Sequence, residues 1–212
     1  MNQPSFEREQ SATHKLSVLA ESAVIHFNWR NTLDTELSKQ IITLMRETSA
    51  TAPIIGFGAQ ISDAEASGYI QELKDNLQAN KCLLLSIWTE HGELIGLCTL
   101  KRNQNPNNSH IADLAKGMIA ERYRGGQILA AALYEIALEC ERRGVELVTL
   151  DVRAGSRAGQ VWQHYGFEIY GTLADYARSS GTSHTGHFMK QLVADLKSRT
   201  LRNLTPETQG LH

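Results

Sequence analysis

The sequence has little of several features that would assign it to a special class of protein. Its 212 residues contain four prolines, three cysteines and 7% aromatic residues, so neither a proline-rich linker nor a disulfide scaffold is predicted. No apolar run approaches the roughly 18 residues of a membrane span. The polar start, MNQPSFEREQ, does not have the apolar core of a signal peptide. We therefore expect a cytoplasmic protein with no membrane partner.

An excess of charge of one sign is also missing. Lys and Arg number 21 against 23 Asp and Glu, which gives a formal net charge of −2. Such a chain has no strong overall field to attract nucleic acid, so we expect no nucleic-acid partner. The three cysteines, Cys82, Cys98 and Cys140, are widely spaced and each lies in an apolar stretch. This placement favours buried free thiols over disulfides or a metal site.

What is present is the composition of one globular domain, with 42% hydrophobic and 21% charged residues. Residues 1–22 show no sustained periodicity, which favours an N-terminal arm over a short docking helix. The pattern predicts a domain over residues 23–192. A partly helical C-terminal extension is predicted over residues 193–212.

The first half of the chain predicts one strand and two helices. Apolar residues at 23–29 indicate the strand, and Asn31 and Thr32 offer caps for the helix that follows. Ser62 and Glu65 have the spacing of a capping box at the start of a second helix. Residues 50–61 predict a loop, which either lies over a ligand site or only packs against the domain.

The middle of the chain changes period. The runs CLLLSIWT (residues 82–89) and LIGLCTLK (residues 94–101) predict a hairpin, and a third run ending at residue 120 extends it to an antiparallel meander. A helix with Gly144 as its C-cap and a strand over residues 145–152 then predict a parallel crossover. A short helix over 158–164, a strand over 167–170, a polar loop and an apolar run over 187–192 complete a mixed α/β (α+β) pattern.

The most informative unit is RYRGGQ, residues 122–127, between a strand and a helix. A helix N-terminus presents free backbone N–H groups to an anion, and glycines let the backbone approach phosphate oxygens closely. Lys116, Arg122 and Arg124 could add direct charge. A Gly-Gly turn at such a position is otherwise usually only a turn, so the motif alone leaves both interpretations open.

The order and spacing of these elements resemble the GNAT superfamily of acyl-CoA-dependent N-acyltransferases, over about residues 23–192. The resemblance is carried by the meander, the Arg-Gly-rich start of a long helix, the strand ending Leu150-Asp151-Val152 and the sequence Tyr165-Gly166-Phe167. The segments GFGAQISDAEASGYIQELKDNL, LTLDVRAGSRAG and YGTLADYA are most similar to the tabtoxin-resistance acetyltransferases, which acetylate a small amino-acid-like toxin. The resemblance implies a mixed central sheet with helices on both faces and acetyl-CoA as cosubstrate.

The resemblance also implies a CoA site made of two neighbouring segments. In the family, the backbone at the end of the fourth strand, here Met118 and Ile119, hydrogen-bonds the pantetheine arm. A turn of pattern Arg/Gln-x-x-Gly-x-Gly/Ala wraps the pyrophosphate, and it aligns with Arg124, Gly125, Gly126, Gln127, Ile128 and Leu129. Gln127 and Leu129 stand where the family has small residues. Gln127 replaces a glycine whose backbone conformation would cost a side-chain residue about 1–2 kcal/mol.

Four residues are implied to be catalytic. Asp113 and Asp151 match acids proposed in the family to accept the amine proton, directly or through water, and splayed strands would bring both to one cleft. Trp162 stands where the family often has a tyrosine that protonates the departing CoA thiolate. An indole N–H can donate a hydrogen bond but cannot act as an acid near neutral pH, so Tyr165 and His164 are nearby substitutes.

Three further expectations concern ligands and assembly. Tyr176 and the loop 178–187 match a substrate-side segment of the family, so we expect Tyr176 to bind substrate. His184 and His187 have the spacing of a metal pair, but no third ligand follows at a usual spacing, and we predict no metal. Family members commonly pair through the later strands, which favours a homodimer.

The predicted function is transfer of an acetyl group from acetyl-CoA to the primary amine of a small amino-acid-like molecule or antimetabolite. The alternative is a protein that keeps the fold but has lost CoA chemistry, and acts as a ligand-binding protein or catalyses another reaction in the same cleft. Gln127, Leu129 and Trp162 favour this alternative because all three depart from the family pattern. A protein-directed acetyltransferase is a third candidate, but no extended acidic groove is visible in the sequence.

Overall fold

A computed structural model describes residues 24–51, 56–125, 127–179 and 181–204. The described strands are β1 (Ile25–Arg30), β2 (Cys82–Thr89), β3 (Leu94–Arg102), β4 (Ile111–Ile119), β5 (Leu147–Arg153), β6 (Glu168–Ser179) and β7 (Thr182–Leu192). The described helices are α1 (Thr35–Thr51), α2 (Asp63–Gln78), α3 (Ile128–Arg142), α4 (Arg157–His164) and α5 (Val193–Leu204). The N-terminal arm predicted over residues 1–22 lies outside the described residues, as do Gly126 and the end of the predicted C-terminal extension.

The strands form one mixed sheet in the order β1-β2-β3-β4-β5-β7-β6. β2, β3 and β4 are the predicted antiparallel meander. β4 and β5 are parallel, and the helix α3 connects them, which confirms the predicted crossover. The mixed α/β fold class is therefore confirmed. None of the described helices is long and apolar enough to cross a membrane.

Local sequence explains where the helices begin and end. Ser62 and Glu65 form the predicted capping box of α2. The cap of α1 is Asp34, whose Oδ1 accepts a hydrogen bond from the Leu37 N–H at 2.7 Å. The prediction that Asn31 and Thr32 cap this helix is wrong, because an N-cap oxygen must reach the N–H groups two or three residues ahead and α1 begins only at Thr35.

The alternation of side chains along the strands divides the core between the two faces of the sheet. Cys82 and Leu84 of β2 pack with the buried residues of α1 and α2. Leu83 and Leu85 face the other way and pack with α3 and α5. The three cysteines are free and buried, as predicted. Helices therefore cover both faces of the sheet.

The last two strands are longer than the sequence indicates. The pattern predicts a strand over 167–170, a polar loop and a final run over 187–192, whereas β6 and β7 form a continuous hairpin up to Ser179 and Thr182. This hairpin lies at the edge of the sheet, where most residues of β6 are exposed. A strand that is solvated on both faces needs no alternation of apolar and polar residues, so its sequence resembles a loop.

Candidate active site

A gap opens between β4 and β5 in the middle of the sheet. The two strands pair only over residues 111–113 and 147–149. Further along β4, Lys116 and Gly117 together stand opposite the single residue Cys98 of β3. Lys116 has a positive φ of 55° there. A bulge of this kind bends the strand, so β4 turns away from β5 and leaves a cleft that begins at Asp113.

Two carboxylates and a phenol meet at the start of this cleft. Asp113 accepts a hydrogen bond from Thr149 Oγ1 at 3.1 Å. Asp151 lies two residues beyond Thr149 on the same face of β5, and its Oδ2 accepts a hydrogen bond from the hydroxyl of Tyr176. The structure thus brings together three of the predicted site residues from three different strands.

Burial raises the pKa of Asp113. The hydrogen bond from Thr149 opposes this effect, while the nearby charge of Asp151 adds to it. A carboxylate whose pKa is raised holds a proton more readily than an exposed aspartate does. Asp113 is therefore also a better proton acceptor than an exposed aspartate.

Tyr176 is held in place by the β6–β7 hairpin. Its ring lies against Gly186, where an added Cβ would collide with the ring carbons. It also makes an edge-to-face contact with Phe188, with ring centroids 6.2 Å apart. Burial raises the pKa of Tyr176, and the hydrogen bond to Asp151 raises it further. The phenol therefore stays protonated at neutral pH and acts as a hydrogen-bond donor.

A pocket of about 330 Å³ adjoins the bulge, between α2 and the face of β2, β3 and β4. The sequence did not place any residue in this pocket. Its lining includes Phe57, Tyr69, Glu72, Thr99, Lys101 and Lys116. The signal that could have found the pocket is Lys116-Gly117 inside a mostly apolar strand, because a glycine within a strand often marks a bulge.

Lys116 points into this pocket and not toward the turn of residues 122–127, the predicted phosphate site. Its Nζ lies 4.8 Å from the centre of the Phe57 ring, a cation–π contact. Burial lowers the pKa of Lys116, and the charge of Lys101 lowers it further. The expectation that Lys116 adds charge beside Arg124 is thus wrong, since the bulge turns its side chain toward α2. Arg122 makes ion pairs with Glu93 and, at 3.9 Å, with Glu47.

The predicted CoA turn follows directly after β4. Met118 is buried in the core beneath α1 and α2. The carbonyl oxygen of Ile119 accepts a hydrogen bond from Arg124 Nε at 2.8 Å, which fixes the turn to the end of the strand. Gly125 has a φ of 86°, a conformation that favours glycine. Gly126 lies outside the described residues.

The conformation of Gln127 differs from the one expected. Its φ of −74° and ψ of −7° are right-handed, a conformation that any side-chain residue adopts without strain. The expectation of a conformational free-energy cost at this position is therefore wrong. Gly125 supplies the left-handed residue of the turn instead. Ile128 is buried in the core and Leu129 packs against the same cluster. The side chain of Gln127 makes no capping hydrogen bond at the start of α3.

Trp162 and Tyr165 both lie on the α4 side of the sheet. Trp162 packs edge-to-face on Phe167 with ring centroids 5.1 Å apart. An added Cβ on Gly117 would lie 3.9 Å from the Trp162 ring, which places this ring beside the bulge of β4. Tyr165 is buried in the core, and burial raises its pKa. The structure therefore brings Trp162 to the gap and packs Tyr165 among core side chains.

The two histidines with metal-pair spacing, His184 and His187, make hydrogen bonds within the β6–β7 hairpin. His184 Nε2 lies 2.9 Å from Ser179 Oγ, and His187 Nδ1 lies 3.1 Å from Thr172 Oγ1. Within residues 24–51, 56–125, 127–179 and 181–204, no group of three His, Cys, Asp or Glu side chains is placed to hold a metal ion.

Comparison with known sequences identifies relatives. The acetyltransferase (GNAT) family model matches residues 59–167, just over half of the chain. The L-amino acid N-acetyltransferase AaaT of Escherichia coli K12 is 28% identical over 103 residues. Those residues are 48% of this chain and 63% of that protein, so the match spans less than two thirds of the relative's length.

Solved structures share the fold. Mycobacterium smegmatis RimJ, in complex with CoA-disulfide, has a TM-score of 0.68 at 16% identity, and the alignment covers 90% of this chain and 93% of that one. Spermidine N-acetyltransferase from Vibrio cholerae, in complex with CoA and spermine, has a TM-score of 0.64 at 15% identity, with 80% and 97% covered. The sequence match and the shared fold agree: this chain belongs to the acetyltransferase (GNAT) family.

Proposed function

We propose that this protein transfers the acetyl group of acetyl-CoA to the primary amine of a small amino-acid-like molecule or antimetabolite, as the tabtoxin-resistance group does. The observation that carries the proposal is the meeting of Asp113 and Asp151 at the start of the gap between β4 and β5. Family membership supports the acyl-transfer reaction. The name of the E. coli relative, an L-amino acid N-acetyltransferase, supports the class of acceptor.

In this proposal acetyl-CoA enters the gap from the side of α3. The backbone of Met118 and Ile119 lines the gap where β4 no longer pairs with β5. The pyrophosphate binds at the turn of Arg124, Gly125, Gly126, Gln127, Ile128 and Leu129. Support comes from the free N–H groups that begin any helix, together with the positive end of the helix dipole, which attract an anion. Arg124 positions the turn through its hydrogen bond to Ile119.

The acceptor amine enters on the opposite side of the sheet, between α2 and the β6–β7 hairpin. An ammonium ion must lose a proton before its nitrogen can attack the thioester carbonyl. Asp113, whose pKa is raised by burial, takes that proton directly or through water, and Asp151 holds the ammonium beside it. Tyr176 orients Asp151 through its hydroxyl and contacts the acceptor. The C–N bond forms, the C–S bond breaks, and the electron pair leaves with the CoA sulfur. The nitrogen then releases its second proton to become the amide, and that proton passes through water to the CoA thiolate.

Departure of CoA does not depend on an acid in this scheme. A thiol has a pKa of about 8.5, so it can leave as a thiolate at modest cost. Trp162 forms a wall of the gap beside Gly117 and offers an indole N–H as a hydrogen-bond donor. Tyr165, in the core behind α4, holds this wall in position rather than giving a proton.

Acetyl-CoA titration and product analysis test the proposal together. We expect calorimetry to detect acetyl-CoA binding below high micromolar concentration. We expect mass spectrometry to detect N-acetylated products from a panel of free amino acids. A protein that binds no acetyl-CoA and acetylates none of the panel would contradict the proposal.

That outcome would favour the alternative, a GNAT-fold protein without CoA chemistry. Its remaining support is Leu129 and Trp162, because Gln127 adopts an ordinary helical conformation. The double variant Gln127→Gly, Leu129→Gly distinguishes a protein that uses acetyl-CoA from one that has lost CoA binding. A gain of CoA binding in this variant, where the unmodified protein has none, would establish that the turn had lost its cofactor.

We also propose a cytoplasmic homodimer. The edge strand β6 exposes three large apolar side chains, Ile169 at 42%, Tyr170 at 56% and Leu173 at 49%. An edge strand with exposed apolar residues favours pairing with another chain. Three free buried thiols are typical of a reducing compartment. Light scattering behind size exclusion should give twice the 23.6 kDa mass of one chain, and a single 23.6 kDa species would contradict the dimer.

A further inference from the structure

Tyr176 lies in an interruption of the pairing between β6 and β7. Residues 174–176 of β6 together stand opposite the single residue Thr185 of β7, between regular pairs on either side. These three residues are the β6 bulge. Relative to a regular antiparallel pair, β6 therefore carries extra residues here, which shift everything beyond the bulge along the hairpin.

The β6 bulge decides whether Tyr176 can reach Asp151. Regular pairing continued through the bulge would place Tyr176 opposite Ser183, near the tip of the hairpin. Asp151 pairs with Phe188, which lies five residues from Ser183 along β7. At a rise of roughly 3.4 Å per residue this separation is about 17 Å, more than a tyrosine side chain spans. The bulge instead keeps Tyr176 near Gly186, and its hydroxyl donates to Asp151.

The ring of Tyr176 has to cross a whole strand on this path. Tyr176 is on β6 and Asp151 is on β5, with β7 between them. Neighbouring strands are about 4.8 Å apart, so the side chain must lie flat across β7. It crosses at Gly186, where a Cβ would collide with the ring. A small error in the position of the bulge would move the ring off this glycine and onto a larger residue.

Asp175, the middle residue of the β6 bulge, is held by hydrogen bonds from both strands. Its φ of 56° is left-handed, a conformation that Asp and Asn adopt more readily than other side-chain residues. Its carboxylate accepts hydrogen bonds from Arg178 Nε at 2.8 Å and from Ser183 Oγ at 2.6 Å. Arg178 and Ser183 are direct cross-strand partners. One carboxylate thus ties the bulge to both strands of the hairpin beyond it.

The Asp175–Arg178 pair is exposed on both sides. Exposed ion pairs of this kind usually contribute little to stability. Residues kept in a left-handed conformation, in contrast, are concentrated at functional sites. The residue that follows Asp175 is Tyr176, so the backbone of Asp175 sets the direction in which the phenol leaves the strand.

The geometry points to Asp175 as a positioning residue of the acceptor site: it holds the β6 bulge that carries Tyr176 across Gly186 to Asp151. This inference rests on the proposed function, in which Tyr176 contacts the acceptor and orients Asp151. Asp175 acts through Tyr176 and not on the acceptor itself.

Two substitutions of Asp175 test its role in activity. Asp175→Ala removes the acceptor and disfavours the left-handed conformation, so kcat/KM for amine acetylation should fall about tenfold. Asp175→Asn keeps a side-chain oxygen and the tolerance of positive φ, so it should stay within about threefold of the unmodified protein. The control, Glu141→Ala, removes an exposed acid from an ion pair with Lys197 and should leave kcat/KM unchanged. Unchanged activity of Asp175→Ala would overturn the inference.

A double substitution distinguishes positioning of Tyr176 from a general structural role. In a Tyr176→Phe background, the hydroxyl that Asp175 positions is already missing. Asp175→Ala should then lower kcat/KM further by less than about twofold, because residues that act through one another are not additive. The same fold loss in both backgrounds would overturn the inference.

Carbon-13 NMR of labelled tyrosine rings decides the inference independently of activity. The Tyr176 signal is identified by its loss in Tyr176→Phe. We expect this signal to shift in Asp175→Ala and to stay in place in Asp175→Asn and Glu141→Ala. If the protein acetylates no amine, the proposed function fails, and the NMR result still stands by itself. A Tyr176 signal that is the same in Asp175→Ala as in the unmodified protein would overturn the inference alone.

Discussion

The two halves of the sheet are built differently, and the candidate site lies at their border. Seven of the eight residues of β2 are buried, whereas none of the residues of β6 is. The first half, β1 to β4, is packed between helices on both faces. The second half ends in a hairpin that reaches into solvent and carries Tyr176 to Asp151. The comparison separates a buried half that holds Asp113 and Lys116 from a solvated half that brings Tyr176 to Asp151.

The largest effect is expected from Asp113, the acid in the buried half. Asp113→Asn keeps the shape of the side chain but removes the proton acceptor, so kcat/KM for amine acetylation should fall about 10²- to 10⁴-fold. Initial rates with a fixed amino acid give the measurement, and Asp195→Asn on the exposed surface of α5 is the matched control. Activity within twofold of the unmodified protein would remove Asp113 from the mechanism.

Truncation of a leucine to alanine should lower the free energy of unfolding far more in the buried half of the sheet than in the hairpin. Leu84 of β2 is fully buried, so Leu84→Ala should lower the free energy of unfolding by about 2–5 kcal/mol. Leu173 of β6 is 49% exposed, so Leu173→Ala should change it by less than about 0.5 kcal/mol in the monomer. Urea unfolding of both variants measures the difference. Equal losses would mean that the hairpin is as strongly packed as the meander.

A pair of glycine substitutions tests the solvated half, the β6–β7 hairpin. A Cβ on Gly186 would collide with the Tyr176 ring, whereas a Cβ on Gly171 would meet Phe188 at an ordinary 3.7 Å. Gly186→Ala should therefore displace Tyr176 from Asp151 and lower kcat/KM about tenfold, which corresponds to roughly 1.4 kcal/mol. Gly171→Ala, in the same hairpin, should leave kcat/KM unchanged. If the two variants behave alike, the position of Tyr176 does not matter for activity.

The smallest expected effects are on the pH dependence of stability. The contributions of Asp113 in the buried half and Asp175 in the hairpin should change with pH in opposite directions. Burial raises the pKa of Asp113, so the folded protein holds this proton more tightly than the unfolded chain, whose aspartate pKa is about 3.9. The stability that this group contributes is present below that value and is lost as the pH rises through the folded-state pKa. Asp113→Asn should therefore become more stable than the unmodified protein as the pH rises from about 4 toward 7.

Asp175 in the hairpin gives the contrasting case. Hydrogen bonds from Arg178 and Ser183 lower its pKa to about 2. Its contribution to stability is present above the unfolded-state pKa of about 3.9 and is lost as the pH falls through about 2. Asp175→Asn should be less stable than the unmodified protein at pH 5, and the difference should shrink toward pH 2. Urea unfolding at several pH values checks both variants, and the same sign of change in both would contradict this account.

The sequence was sufficient to predict the secondary-structure elements that have strong local signals. The capping box at Ser62 and Glu65 is specified by residues three apart, and the meander is specified by buried apolar runs. The hairpin of β6 and β7 could not be predicted at its full length, because solvated strands impose no period on their residues. The cap at Asp34 was missed because the start of α1 depends on where β1 ends, which the local pattern does not fix.

The candidate site could be predicted only in part. Asp113, Asp151 and Tyr176 were found through a family resemblance, and the structure brings these three side chains together. The pocket with Lys101 and Lys116 was missed, because it depends on a bulge and on the approach of α2. Gln127 was expected in a strained conformation, but the turn places its left-handed residue at Gly125 instead.

By itself the sequence determined the meander and the parallel crossover, because these follow from apolar periodicity within short segments, and its resemblance to a known family implied the class of fold. The tertiary structure alone decided which charged side chains share a site. Lys116, Asp113 and Asp151 come from two strands that diverge at a bulge, and Tyr176 reaches them from a hairpin at the sheet edge. Such distances depend on the twist, register and bending of the whole sheet, and no local pattern in the chain encodes them.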